Sequence, residues 1–123
     1  MIKVSIYKNE KHEYVGFKTL GHAGYSEHGQ DIVCAAVSVL VINTINSIEK
    51  FTEEKTSLVS DEESGYIDYK IEGRPKKEAT LLLKAMVLGL REMASDESYE
   101  EYIDLTFEAV SYTHLTLPTK LEV

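Results

Sequence analysis

The chain has 123 residues, 43% of them hydrophobic and 28% charged, which suits one globular domain with a modest core and leaves no room for a second. Its net charge of −8, from 21 acidic and 13 basic residues, disfavours direct nucleic-acid binding, which depends on clustered lysine and arginine, and suits either a basic protein partner or solubility alone, between which charge does not decide. A single cysteine excludes an internal disulfide and any multi-cysteine metal site. With no signal-peptide pattern the expected compartment is the cytoplasm, where the thiol stays reduced. The longest apolar run stops at Asn43, short of the roughly eighteen residues of a membrane span, so no membrane is expected.

Ile2, Val4 and Ile6 alternate with Lys3, Ser5 and Tyr7, the period of a half-buried strand. Asn9 to Lys11 reads as a turn, and Tyr14 to Leu20 resumes the alternation as the second arm of an antiparallel hairpin. Gly21, Gly24 and Gly29 then punctuate a loop whose backbone can adopt positive φ or lie close to a ligand, as a flap over substrate requires.

Asp31 is a good N-cap, and Ile32 to Phe51 contains no proline or glycine, which predicts a helix of about twenty residues. Apolar character on nearly all sides through Ile42 predicts a central helix buried on more than one face, turning amphipathic beyond Asn43. Strands are expected at Thr56 to Ser60 and Tyr66 to Ile71, joined by the turn-forming stretch Asp61 to Gly65. Lys76 to Ser95 carries leucine, methionine and alanine at helical spacing, with Pro75 suited to its first turn. Gly89 inside that helix costs about 1 kcal/mol relative to alanine, which implies close packing against the sheet or the other helix. Tyr102 to Val110 reads as a last strand with Ile103, Leu105 and Phe107 on one face.

The resulting fold class is α+β, two layers, with two helices on an antiparallel sheet of about four to five strands within residues 1–110. The segment 111–123 changes character, with three threonines, one proline and one acid, and reads as an atypical, non-native tail. Its other reading is an exposed edge strand interrupted by Pro118.

Chemistry concentrates at the glycine loop and the helix start. Cys34 falls three residues after Asp31, in the predicted first turn, where free amides and the macrodipole stabilise a thiolate and lower a thiol below its free pKa of about 8.5. A nucleophilic cysteine also needs a base within reach. His22, at the end of the second strand, is the candidate, since a glycine loop of twelve residues can return the chain to Cys34. His28 is the rival inside the same loop, while His12 in a turn and His114 in the tail are poorer choices. Ser38 lies one turn beyond Cys34 on the same helical face and could orient a catalytic group or bind substrate. Each residue also has a plain structural reading: Cys34 as a small core hydrophobe, His22 as a satisfied histidine, Asp31 as a cap alone, Ser38 bonded back to a helix carbonyl. No metal and no cofactor is implied.

The run Gly21-His22-Ala23-Gly24-Tyr25, followed by Gly29-Gln30-Asp31-Ile32-Val33-Cys34-Ala35-Ala36-Val37-Ser38, closely resembles the ribosomal-processing cysteine protease Prp family, and the likeness in length and element order extends to about Val110. The resemblance implies a homodimer of two helices on an antiparallel sheet. It further implies removal of an N-terminal extension from a large-subunit ribosomal protein, a basic precursor, with Cys34 as nucleophile and His22 as general base. Asp31 and Ser38 are then supporting polar positions, with Gly21 and Gly24 shaping the loop. Two other classes stay open: a non-catalytic acidic adaptor for ribosomal proteins, and a thiol-dependent hydrolase or transferase acting on small molecules.

Overall fold

Period-two burial builds the sheet. In β1 (Ile2–Lys8) the side chains of Ile2, Val4 and Ile6 are buried, and β2 (Tyr14–Leu20) runs antiparallel to it with Val4 opposite Thr19 and Ile6 opposite Phe17. The register slips by one residue at Tyr7/Lys8, a bulge that accommodates Val15. The computed structural model describes residues 1–21 and 28–110, and the tail 111–123 together with residues 22–27 lies outside them.

The other elements are α1 (His28–Phe51), β3 (Thr56–Asp61), β4 (Tyr66–Ile71), α2 (Lys77–Ala94), a single 3-10 turn at Glu100–Tyr102 and β5 (Ile103–Ala109). The sheet order is β3-β4-β2-β1-β5, and both helices contribute to one core with the sheet's buried face. The two-layer α+β class holds, but the sheet is mixed where an antiparallel one was expected. β5 pairs parallel with β1, Ile2 opposite Ile103 through Lys8 opposite Ala109. The physical reason is the connection: α2 carries the chain back across the sheet after β4, and a helical crossover is what permits a parallel neighbour. Pro75 precedes α2, whose N-cap is Lys76, and so does not occupy the first turn.

α2 buries Ala79, Leu83, Met86, Val87 and Leu90, a single stripe of helical period. A Cβ on Gly89 would come 2.8 Å from Leu40 Cδ2, so glycine here lets α2 close on α1, the helix and not the sheet of the two partners expected. α1 differs from expectation in burying only one stripe, Val33, Val37, Val41, Ile45 and Ile48, while Ile32, Val39 and Ile42 stay exposed. Over Gly29–Phe51 this helix is apolar and long enough to cross a bilayer, beyond the run read from the sequence; its stripe in the core and its groove-lining residues account for part of that composition.

The sheet face away from the helices carries a polar ladder. Tyr7 donates its hydroxyl to Asp68 Oδ1 at 3.0 Å and Tyr66 donates to Oδ2 at 3.2 Å. On the core side Tyr69 donates to Glu49 Oε2 at 2.8 Å, tying α1 to β4. Burial first, then the adjacent carboxylate, raises both Tyr7 and Tyr69 above the ordinary tyrosine range. The folded chain therefore holds these protons where the unfolded chain, titrating near 10, has lost them, so stability is complete below about pH 9 and declines as pH rises beyond 10. Urea midpoints at pH 8 and pH 11 should differ, and Tyr7→Phe should flatten the decline. A midpoint unchanged at pH 11 contradicts the assignment.

Candidate active site

One face of α1 and one end of the sheet enclose an open groove of about 420 Å³. Along α1 its wall is Cys34, Val37, Ser38, Val41, Ile42, Ile45 and Asn46, positions three and four apart that a helix stacks on one side. Ile2, Thr19 and Gly21 form the floor from the beginning of β1 and the end of β2, and the β3–β4 hairpin closes the far side with Leu58, Ser60, Asp61, Glu62, Gly65, Tyr66 and Ile67. Most of the lining surface is apolar, with seven aliphatic residues, and the charged groups among the described lining residues are carboxylates only.

Gly21 has φ +101, and its amide donates to Ser64 O at 3.1 Å, so the hairpin turn holds the chain at the point where the segment 22–27 begins. A Cβ there would lie 2.9 Å from Met1 O, a second reason for glycine. The hairpin turn is fixed in its own right. Asp61 Oδ1 accepts from the Glu63 amide at 3.1 Å and Oδ2 from Ser64 Oγ at 3.2 Å.

The structure brings together three of the residues singled out from the sequence: Cys34 half-buried, Ser38 exposed one turn on, and Gly21 opposite. His22 and Gly24 lie outside the described residues. Asp31 is exposed on α1 and does not line the groove.

Two expectations about the helix start are corrected. α1 begins at His28, so Asp31 is its fourth residue and an acidic member of the first turn, not an N-cap, and Cys34 is the seventh residue, in the second turn. The unpaired amides that could receive an oxyanion belong to the first residues of the helix, before Cys34. His28 opens the helix and is not part of the loop. The cause lies at Gly29, where a Cβ would come 2.6 Å from the Tyr102 ring: the 3-10 turn before β5 packs on a glycine and supports an extra helical turn. No sequence spacing reveals that contact. Nor did the sequence identify the hairpin wall, Leu58, Glu62, Tyr66 and Ile67; their only signal was the pair of strands that carry them. Among the described residues no group of three or more histidine, cysteine or acidic side chains is placed to hold a metal ion.

The sequence profile described as cysteine protease Prp matches residues 1–104. The chain belongs to the cysteine protease Prp family. It is 31% identical over 108 residues to the ribosomal processing cysteine protease Prp of Staphylococcus aureus, covering 88% of this chain and all of that protein, and 27% identical over 110 residues to its Bacillus subtilis counterpart, covering 86% and 96%. The crystal structure of the essential ribosomal processing protease Prp from S. aureus in complex with a substrate peptide superposes with a TM-score of 0.80 at 29% identity, across 88% of this chain and all of that one. The Prp match takes in every described residue of the groove and stops short of the segment 111–123.

Proposed function

We propose that the chain is a cytoplasmic cysteine endopeptidase that removes the N-terminal extension of a basic large-subunit ribosomal protein, with Cys34 as nucleophile and His22 as general base. The observation that carries this reading is the thiol's place on an open, peptide-sized groove. From Cys34 to Asn46 the helix wall is about 18 Å long, the reach of about five extended residues. Names of relatives support the substrate class, since the S. aureus and B. subtilis proteins are ribosomal processing proteases.

With Cys34 in the second turn, the helix dipole acts on it weakly, because that field fades within the first turn. Activation of the thiol therefore falls to the histidine. His22 takes the proton of Cys34, and Sγ attacks the scissile carbonyl carbon. The C–N bond breaks as the imidazolium returns that proton to the leaving amine, which departs as the new N-terminus of the mature protein. Water, deprotonated by His22, then attacks the thioester, the C–S bond breaks, and the extension leaves as a carboxylate while thiol and imidazole are restored. Ser38, beside Cys34 on the groove, is a substrate-binding or orienting hydroxyl. The aliphatic lining favours a bulky apolar residue beside the cut, and the acidic surface favours a basic protein.

Incubating the purified chain with full-length precursor should give one N-terminal cut by mass, and none with Cys34→Ser. Stable binding without cleavage by either form would replace this reading with the adaptor. The homodimer belongs to the same proposal and draws on exposed apolar residues of α1, Val39 at 69% and Phe51 at 71% among them. Light scattering at micromolar concentration should return twice the monomer mass; a monomer that persists after deletion of residues 111–123 contradicts it.

A further inference from the structure

The solvent side of α2 carries Lys77, Leu81, Lys84, Leu88 and Arg91 at spacings of four, three, four and three, the period of a coiled-coil seam. The seam runs for about 21 Å. Leu81 and Leu88 are 67% and 62% exposed, and the remaining three positions are cationic. Among the described residues Lys77 and Lys84 form no ion pair, and Arg91 stacks its guanidinium 4.6 Å from the centre of the Phe107 ring, which fixes it at one end of the row. Charge separates sharply here: residues 74–91 hold five of the chain's 13 basic residues and one of its 21 acidic ones. None of the five seam residues lines the groove that holds Cys34.

We infer that this face is a docking site for an amphipathic helix of a partner protein, one with apolar residues at heptad spacing flanked by carboxylates. The alternation decides the chemistry. A phosphate backbone would engage the cations and leave two large leucines in water. A bilayer needs a continuous apolar face with the cations to one side, whereas here each leucine sits between two cations on a single line. A partner helix laid along the seam covers both leucines while carboxylates beside its own apolar row reach Lys77 and Lys84, an attraction of opposite charges that selects the partner. The site is independent of the peptidase reading, since no seam residue belongs to that groove.

The probe is a fluorescein-labelled helical peptide of about 21 residues with leucine at a and d and glutamate at e and g, whose like charges oppose its own dimerisation. Anisotropy against the full chain should show saturable binding, at least tenfold weaker for the same peptide with lysine at e and g. Lys77→Glu/Lys84→Glu and, separately, Leu81→Ser/Leu88→Ser should each lose about tenfold, with cooperative urea unfolding retained. Equal binding of acidic and basic peptides, or no binding at 1 mM (~4 kcal/mol), overturns the proposal. So does a preference for a single-stranded RNA 20-mer or phosphatidylglycerol vesicles that responds to the lysine pair and not the leucine pair. Self-association abolished by the leucine pair would give the face to a second copy and overturn it equally.

Discussion

Replacing His22 by alanine should lower kcat for precursor cleavage by about 10²–10⁴-fold, the usual contribution of a positioned general base, while His28→Ala stays within about threefold of the parent. Gly21 carries the argument. It lines the same groove as Cys34, with its amide held by Ser64 O, and position 22 follows it by one peptide, about 3.8 Å between Cα atoms. His28 opens α1, six residues before Cys34, which on a helix is about 9 Å along the axis. The two variants also separate by pH. His28→Ala should keep the parent's acid limb in kcat/KM, whereas the residual activity of His22→Ala should lose it. Abolished turnover in His28→Ala with parent-like turnover in His22→Ala would transfer the base to position 28.

Gly16→Ala should destabilise the fold by more than about 3 kcal/mol, beyond the range of ordinary surface changes. Gly16 lies in β2 opposite Lys70 of β4, in the interior of the sheet. A Cβ there would overlap the carbonyl oxygen of Tyr69 and lie 2.9 Å from Lys70 Cα. Both are backbone of a paired strand, so relief requires the β2–β4 ladder to part, and Phe17 and Tyr69, fully buried with ring centroids 5.6 Å apart, would separate with it. Gly73→Ala is the control. Its φ of +80 strains any side chain, but nothing lies within 4 Å, so a cost of only about 1 kcal/mol is expected. Urea midpoints for the two variants should therefore differ clearly. Equal midpoints would mean that β2 and β4 are not packed as described.

Much of this architecture is legible in the residues. Alternation at Ile2, Val4 and Ile6 and again at Tyr66 to Ile71 is enough to place strands, because a sheet with one face on helices buries every second side chain. The direction of β5 is not legible, since Ile103, Leu105 and Phe107 alternate identically in parallel and antiparallel pairs. The helix start is not legible either, for a local reason. Asp31 is a good cap in isolation, but Tyr102, seventy-three positions beyond Gly29, seats its ring against that glycine, and tertiary contact overrides local propensity. Apolar residues on several sides of α1 suggested all-round burial. Instead Ile42 lines a groove and Val39 stays exposed, so hydrophobicity there marks surface as well as core. Cys34 and Ser38 were found by spacing along one helix. The facing wall, Leu58 and Ile67, is brought to them by strand pairing, which no local window reveals.

The most direct test is to catch the chain in mid-turnover. Mixing it with excess precursor, quenching in acid within the first turnovers and weighing the intact protein should reveal a population heavier by the acyl form of the cleaved extension, with the added mass located by digestion on the peptide containing Cys34. Cys34→Ala should show neither the adduct nor the cleaved product. Cleavage that persists in Cys34→Ala without an adduct in the parent would contradict the account at its centre.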